Sequence, residues 1–156
     1  MSKVYLLERE QWVPTPADEV FAFFSDARNL EALTPPWLGF SVLTPGRIRM
    51  APGAQISYRL SWHRIPLRWE TEITQWDPPH AFEDVQLSGP YRMWRHTHRF
   101  EPVDGGTRMT DRIRYALPFG FFGRLAHVVA VGRNLAQIFD YRHDQVRALF
   151  GDGEGR

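Results

Sequence analysis

The chain has 156 residues and a net charge of +1, and its 43% apolar and 24% charged residues are typical of a globular protein with a single core. Because it contains no cysteine, disulfide bonds, thiolate metal sites and cysteine nucleophiles are excluded. No apolar run approaches the ~20 residues of a membrane-spanning helix and the N-terminus does not resemble a signal peptide, so we expect a cytoplasmic protein without stable membrane insertion.

The N-terminal part of the chain predicts one strand followed by two short helices. Residues 3–12 form a plausible first strand, which the prolines of Pro14-Thr15-Pro16 interrupt. A helix then begins at Pro16, a residue favoured in the first helical turn. A second short helix begins near Asp26 and ends before Pro35-Pro36, because the first proline disfavours helical backbone in the residue before it.

The remainder of the chain changes its hydrophobic period once. Residues 41–116 alternate with period two between repeated turn signals and predict an antiparallel meander. After Pro118-Phe119-Gly120 the period becomes 3.6, and an apolar stripe over residues 122–150 predicts a helix of roughly eight turns. We therefore expect an α+β fold in which a curved antiparallel sheet of about six to seven strands wraps around the long C-terminal helix. Residues 1–150 would form one domain and residues 151–156 a disordered tail.

The register of the last hairpin can be predicted from its turn. Asp104-Gly105 is the strongest hairpin signal in the chain, and a two-residue loop there places His98 opposite Asp111. One face of this hairpin is rich in arginine and must lie in solvent, so the other face must be the inner one. The inner face carries Trp94, His96, His98, Phe100, Met109, Asp111, Ile113 and Tyr115.

A second hairpin follows the same pattern. A two-residue loop at His63-Arg64 pairs Tyr58 with Trp69 on an aromatic face, and the opposite face is charged. This aromatic face would continue the inner face of the sheet. Both hairpins therefore point aromatic side chains toward the interior.

A third turn, Ser88-Gly89-Pro90, does not fix its own loop length. Two registers remain for the strand that precedes it. In one, Glu83 and Val85 face inward, and in the other Phe82 and Asp84 do.

Several short motifs are distributed over nearly the whole chain. They are Pro16 to Asp26 with Asn29-Leu30, Thr34-Pro35-Pro36, Gly89 to Trp94 with His96 and His98, Gly106 to Asp111 with Tyr115, and Leu117 to Gly120. Together they resemble the START/polyketide-cyclase superfamily (SRPBCC), with the helix-grip fold of birch-pollen allergens and plant abscisic-acid receptors, and in particular a bacterial subgroup labelled cyclase-like or cell-division-inhibitor-like. The resemblance implies an apolar cavity between the concave sheet and the C-terminal helix, with the turns at residues 63–66 and 88–91 beside its mouth.

His98 and Asp111 are the candidate catalytic pair. A carboxylate beside an imidazole fixes its tautomer and raises its basicity, which would suit His98 as a general base oriented by Asp111. The same pair would also suit two other roles. It could bind a polar group of a ligand, or its two members could hydrogen-bond to each other as a buried structural pair. His96, His98 and Asp111 offer metal-ligand atoms on one face, but aromatic neighbours crowd them, so we expect no metal and no cofactor.

Two surface features admit more than one interpretation. The outer row of arginines suggests RNA or lipid headgroups, but no aromatic side chains interleave with it and Glu8 and Glu10 can neutralise it, so we expect no nucleic-acid partner. The apolar stripe that starts at Phe119, Phe121 and Phe122 fits either a membrane-docking helix or, as is more common, a core face.

We therefore expect a protein that binds a small hydrophobic ligand, such as a lipid, a polyketide or an isoprenoid, for transport or sensing rather than catalysis. The alternatives are a cyclase or dehydratase acting on an aromatic polyketide-like substrate through His98 and Asp111, and a protein-interaction regulator. The sequence leaves the ligand's identity and the oligomeric state open. The residues expected to line the cavity are Tyr58, Trp69, Trp94, His96, His98, Met109, Asp111, Ile113 and Tyr115.

Overall fold

A seven-stranded antiparallel sheet is the framework of the computed structural model, which describes residues 3–151. The strands are β1 (Val4–Val13), β2 (Ser41–Val42), β3 (Gln55–Trp62), β4 (Ile65–Asp77), β5 (Ala81–Ser88), β6 (Met93–Val103) and β7 (Gly106–Ala116). Their order across the sheet is β1-β7-β6-β5-β4-β3-β2, so only the connection from β1 to β2 leaves the meander. The predicted helix-grip architecture is confirmed. The predicted disordered tail falls, from residue 152 onward, outside the described residues.

Within residues 3–151, four α-helices accompany the sheet. They are α1 (Ala17–Phe24), α2 (Leu30–Leu33), α3 (Gly120–Ala126) and α4 (Gly132–Phe150), with 3₁₀ turns at Ala27–Asn29 and Pro36–Leu38. A π-helical turn, His127–Val131, joins α3 to α4, so the long C-terminal helix is present but is not α-helical throughout. Helix α1 packs against β6 and β7, and α4 packs against β1 and α2.

The hairpin turns explain why the register could be predicted. His63-Arg64 and Asp104-Gly105 both have two successive residues with positive φ, between 49° and 77°. This is the backbone of a two-residue type I′ turn, which matches the right-handed twist of the flanking strands. His98 lies opposite Asp111 as a result, and the pairings predicted for both hairpins are confirmed.

The register that the sequence left open is that of β5. Phe82 lies opposite His98 and Asp84 lies opposite His96, which places Phe82 and Asp84 on the inner face. Glu83 points to the other face, where its Oε1 accepts a hydrogen bond of 2.7 Å from Arg95. The inner face therefore carries a second acidic residue, Asp84, in addition to Asp111.

Apolar side chains form three separate clusters instead of one continuous core. One surrounds Phe24 beneath α1, a second joins Ile113 to Leu135 and Phe139, and a third surrounds Tyr58. Side chains from all three clusters line a single cavity. The three clusters thus surround the cavity without filling it.

The apolar stripe predicted for the C-terminal helix is buried only in its second half. Phe139 and Val146 are buried, whereas Phe122 and Val129 are 73% and 69% exposed. The π-helical turn accounts for the change, because an extra residue within a helix rotates everything beyond it by about 100°. No helix among residues 3–151 is both long and apolar enough to cross a membrane.

Candidate ligand cavity and its buried charged cluster

A cavity of about 370 Å³ lies between the concave face of the sheet and helices α2 and α4. This volume falls within the range of roughly 300–1,000 Å³ that is common for small-molecule sites. Strands β3 to β6 form one side of its wall, which is largely apolar and aromatic, and helices and connecting segments form the rest. Polar groups are concentrated where Asp84, His96, His98 and Arg142 meet.

The residues predicted to line the cavity fall into two groups. Those that line it are Tyr58, Trp69, Trp94, His96 and His98. Met109 and Asp111 instead line a neighbouring cleft of about 200 Å³ beside β1 and α4. Ile113 is fully buried, and Tyr115 is buried with its hydroxyl 2.7 Å from Nε2 of His127. The inner face of β7 is covered by α4, so side chains that share the sheet's inner face do not all reach the cavity.

Two histidines of β6 lie side by side at the polar end of the cavity. His96 and His98 are two residues apart on one strand, so both side chains point inward, and their ring centroids are 3.6 Å apart. Each histidine bonds a carboxylate on a different neighbouring strand. Nε2 of His98 lies 2.8 Å from Oδ2 of Asp84 on β5, and Nε2 of His96 lies 2.8 Å from Oδ1 of Asp111 on β7.

Arg142 of α4 completes the cluster. Its Nη2 donates a hydrogen bond of 3.1 Å to Oδ1 of Asp111, and the residue is only 9% exposed. The guanidinium also lies 5.0 Å from the ring centroid of Phe24 and 5.8 Å from that of Phe139. Aromatic faces attract a cation, so these contacts help to hold a charge that is removed from water.

The two carboxylates of the cluster remain ionised despite their burial. Burial acts to raise the pKa of Asp111, but the guanidinium of Arg142, the hydrogen bond from His96 and the close approach of His98 hold that pKa well below its usual range. Burial likewise opposes ionisation of Asp84, but the hydrogen bond from His98 and the nearby positive charges lower its pKa. The cluster therefore contains two negative charges at neutral pH.

The two histidines differ in protonation. Burial and the positive charge of His98 lower the pKa of His96 to about 4, in spite of the hydrogen bond to Asp111. Burial also acts to lower the pKa of His98, but its contacts with Asp111 and Asp84 outweigh burial and raise that pKa. The raised pKa favours the charged form of His98, and in that form His98 and Arg142 together balance the two carboxylates. A raised pKa makes His98 a stronger base when neutral and a proton donor when charged, so its predicted role as a general base stays a prediction.

One nitrogen in the cluster lacks a hydrogen bond. Nδ1 of His98 lies 3.2 Å from Oδ1 of Asp111, which is an ion-pair distance without the geometry of a hydrogen bond. Among buried side-chain polar atoms of residues 3–151, it alone has no partner. The Asp84 side chain retains 21% exposure, so its oxygens are the accessible end of the cluster.

The same residues resemble a metal-ligand set. One ligand atom from each of Asp84, His96 and His98 lies within 4.8 Å of the others, and two imidazoles with one carboxylate suit zinc. However, Nε2 of His96 is directed toward Asp111, and the guanidinium of Arg142 places a positive charge beside this group. These side chains are thus arranged as hydrogen-bonded pairs of a histidine and a carboxylate.

Two members of the cluster were missed in the sequence. Asp84 was one of two alternatives, because the following turn does not define its own length. Arg142 was overlooked because the apolar stripe appeared to pass through His143, which is exposed, whereas Arg142 is buried. Arg142 lies three residues after Phe139 and four before Val146, and this spacing is the signal that could have identified it.

Solved structures of other proteins share this fold over nearly the whole chain. Protein Ms6760 from Mycobacterium smegmatis is 21% identical, with a TM-score of 0.65 over 96% of this chain and 95% of that one. CV1439 from Chromobacterium violaceum is 13% identical, with a TM-score of 0.72 over 94% and 98%. The major latex-like protein 151 from Panax ginseng is 11% identical, with a TM-score of 0.68 over 94% and 97%.

None of the curated proteins matches this chain. The family described as "Polyketide cyclase / dehydrase and lipid transport" does match it, over residues 13–139. That match covers most of the strands and the helical segments that enclose the cavity. The resemblance noted in the sequence is thereby confirmed, and the chain belongs to the polyketide cyclase/dehydrase and lipid transport family.

Proposed function

We propose that this protein binds a small, uncharged hydrophobic molecule that carries a hydroxyl group. The observation that carries the proposal is a cavity of about 370 Å³ whose wall is largely apolar and whose charged side chains are gathered at one end. The apolar body of the ligand would lie against Tyr58, Trp69 and Trp94. Hydrophobic ligand binding is also what membership of the family supports.

The polar end of the cavity favours a hydroxyl over a carboxylate. Asp84 is the accessible member of the cluster and remains ionised, so it accepts a hydrogen bond from a ligand hydroxyl. A ligand carboxylate at the same place would face a like charge in an environment of low dielectric. A neutral ligand adds no charge to the cluster.

Competition with a fluorescent probe tests whether the cavity binds ligands. The probe is N-phenyl-1-naphthylamine, which is uncharged and brightens in apolar surroundings. Ala27 is 3% exposed and lines the cavity, so Ala27→Leu should fill part of it and weaken probe binding at least tenfold. The matched control is Ala148→Leu on the exposed side of α4, which should bind like the wild type. Equal binding by both variants, with intact circular dichroism, would contradict a ligand in this cavity.

Native mass spectrometry of protein purified from its own host would identify the ligand. A bound molecule that is retained by the wild type and lost from Ala27→Leu would give its mass directly. A molecule retained equally by both variants would lie elsewhere on the protein.

A second candidate function is dehydration of a hydroxylated substrate, with or without ring closure. It is favoured by the placement of His98, whose pKa is raised, within 2.8 Å of an ionised Asp84 at the edge of an apolar cavity. His98 would donate a proton to the departing hydroxyl, which leaves as water, and Asp84 would accept a proton from the adjacent carbon as the double bond forms. The proton then returns from Asp84 to His98 along their hydrogen bond. His98→Gln separates the functions, because an enzyme should lose turnover by ~100-fold or more while a binding protein should lose affinity about tenfold.

A further inference from the structure

The segment that joins the sheet to α4 has an apolar face in solvent. We call this the α3 face, and its members, with their exposures, are Phe119 (81%), Phe121 (71%), Phe122 (73%), Leu125 (52%), Val128 (81%) and Val129 (69%). From Phe121 onward the members are spaced three and four residues apart and so share one side of the helix. Contiguous exposed apolar surface of this kind marks interaction sites in folded proteins.

The opposite side of the same segment is already fixed to the protein. Gly123 packs against the carbonyl of Pro118 so closely that a side chain would not fit there. His127 stacks on Tyr5 of β1 with a centroid distance of 3.6 Å and is hydrogen-bonded to the hydroxyl of Tyr115. Rotation of the helix to bury its apolar face would break these contacts, so the exposure is built into the fold.

The charged residues of the segment and of the chain that flanks it have one sign. Residues 112–139 contain four arginines and neither aspartate nor glutamate, although the chain has 18 acidic residues. Arg124 lies within the segment and Arg133 follows it, and neither forms an ion pair with any of the described residues. The arginines of the sheet differ in this respect, because Arg108 and Arg112 pair with acidic side chains of β1.

An apolar helix face whose own segment carries arginine and no acidic residue has the composition of a helix that lies in the interface of an anionic membrane. A second copy of the chain would be a poorer occupant. Two α3 faces placed against each other would bring Arg124 and its counterpart together with no acidic residue in the segment to neutralise them. Electrostatic complementarity therefore favours a lipid surface.

The α3 face is also adjacent to the cavity. Leu117, which precedes α3, and Val131, which ends the π-helical turn, both line the cavity wall. The two ends of the segment thus contact the interior while its outer face contacts solvent. A molecule passing between a bilayer and the cavity at this point would avoid crossing open water, a consequence that rests on the proposed function.

We propose that the α3 face docks this protein on the surface of anionic phospholipid membranes. The phenylalanines enter the boundary between headgroups and acyl chains, and Arg124 and Arg133 contact the headgroups. The protein stays peripheral, because the segment is too short to span a bilayer. Docking requires no ligand in the cavity, so the two proposals can fail separately.

Vesicle flotation tests the proposal with the full chain and lipid alone. The protein should float with vesicles of phosphatidylcholine and phosphatidylglycerol at 7:3, bind pure phosphatidylcholine at least tenfold more weakly, and dissociate as salt is raised. Phe121→Ser with Phe122→Ser should reduce binding at least tenfold, and Arg124→Glu should reduce binding to the anionic vesicles. The matched control is Leu149→Ser, which removes a side chain that is 51% exposed at the far end of α4 and should have no effect.

A fluorescent label reports on the same contact independently. Because the chain has no cysteine, Phe122→Cys provides a unique site for an environment-sensitive nitrobenzoxadiazole label, with Leu149→Cys as its control. The label at position 122 should brighten and shift to the blue on adding anionic vesicles, and the label at position 149 should not. The proposal is overturned if the protein does not float with anionic vesicles, or if the double serine variant floats equally well. It is also overturned if the label at position 122 is shielded without lipid while ultracentrifugation shows a dimer.

Discussion

Arg142 and Asp111 join the C-terminal helix to the sheet inside the protein, with Nη2 of the arginine 3.1 Å from Oδ1 of the aspartate. Both side chains are nearly removed from solvent, at 10% and 12% exposure. Burying an ion pair is costly in desolvation, but removing one partner is worse because it leaves the other charge buried alone. The position of α4 on the sheet therefore depends on the charges of the cluster.

Arg142→Met should lower the free energy of unfolding by about 3–5 kcal/mol, because it leaves Asp111 with one fewer positive neighbour in a buried site. The matched control is Arg9→Met, which breaks the ion pair of 3.0 Å between β1 and Asp140 of α4. That pair is exposed, so its loss should cost less than about 1 kcal/mol. Urea unfolding measures both variants, and equal losses would show that burial does not set the value of the Arg142 contact.

Stability should fall in mild acid because of His96. Its pKa is lowered to about 4 in the folded protein, whereas the unfolded chain takes up a proton near pH 6.5. As pH falls through that window the unfolded state binds more protons, so the free energy of unfolding should drop by about 2 kcal/mol between pH 7 and pH 5. The raised pKa of His98 affects the free energy of unfolding in the opposite direction. Its stabilising contribution is fully present below pH 6.5 and is lost as pH rises through the pKa of His98 in the folded protein.

His96→Gln isolates this effect. A glutamine side chain can still donate a hydrogen bond to Asp111 but does not titrate. Urea unfolding at several pH values should show a flatter profile between pH 7 and pH 5 for the variant than for the wild type. Parallel profiles would mean that another group, such as His127 with its burial-lowered pKa, is responsible.

The charge of Asp84 should determine whether the cavity prefers a ligand with a hydroxyl group or one with a carboxylate. Dodecan-1-ol should displace the naphthylamine probe at least tenfold more effectively than dodecanoate at pH 8, because only the carboxylate meets a like charge. Asp84→Asn should remove most of that preference by abolishing the repulsion. A preference for the alcohol that is unchanged in the variant would place the polar end of the ligand elsewhere in the cavity.

Gln86 should control how quickly ligands enter. Its side chain accepts a hydrogen bond of 3.1 Å from the backbone N–H of Tyr91 and donates one of 2.7 Å to the carbonyl of the same residue. Tyr91 and Pro90 line the cavity, so the hydrogen bonds from Gln86 to Tyr91 restrain part of the cavity wall. Gln86→Ala should speed probe association and dissociation several-fold with a smaller change in affinity, measured by stopped-flow fluorescence. Gln137→Ala on the exposed side of α4 is the control, and equal rates in all three proteins would place the entrance away from this turn.

Hydrogen exchange locates the entrance in a second way. Ligand binding should protect the amides of Gly89 and Tyr91 and those of residues 63–65, since both turns lie at one end of the sheet. The Tyr91 amide already has a partner in Gln86, so its protection should rise from a higher starting level. Protection confined to α4 would contradict entry through these turns.

The sequence predicted the parts of the fold that local chemistry determines. Two-residue turns at His63-Arg64 and Asp104-Gly105 have one preferred backbone, so they fixed the register and brought His98 opposite Asp111. The turn at residues 88–92 has no such preference, and the position of Asp84 stayed ambiguous. Local periodicity cannot anticipate a π-helical turn either, which is why Phe122 and Val129 were assigned to the buried stripe. Positions 142 and 143 both fit the spacing between Phe139 and Val146, and an apolar pattern does not favour an arginine.

The boundary of the cavity was beyond prediction for another reason. Met109, Ile113 and Tyr115 do face inward, as their alternation requires, but whether an inward side chain meets empty space depends on where the helix rests. That placement is a property of the assembled protein. Contacts such as Arg142 with Asp111 determine it, and they connect residues 31 positions apart.

The charge balance of the buried cluster constrains how the sequence can change. Asp84, His96, His98, Asp111 and Arg142 come from four different elements, yet the loss of any one charged member leaves its partners uncompensated. A tolerated change at Arg142 would require a matching change at Asp111, and one at His98 a matching change at Asp84. We therefore expect these positions to vary together among relatives, so that an intact set would identify those sharing the polar end of this cavity.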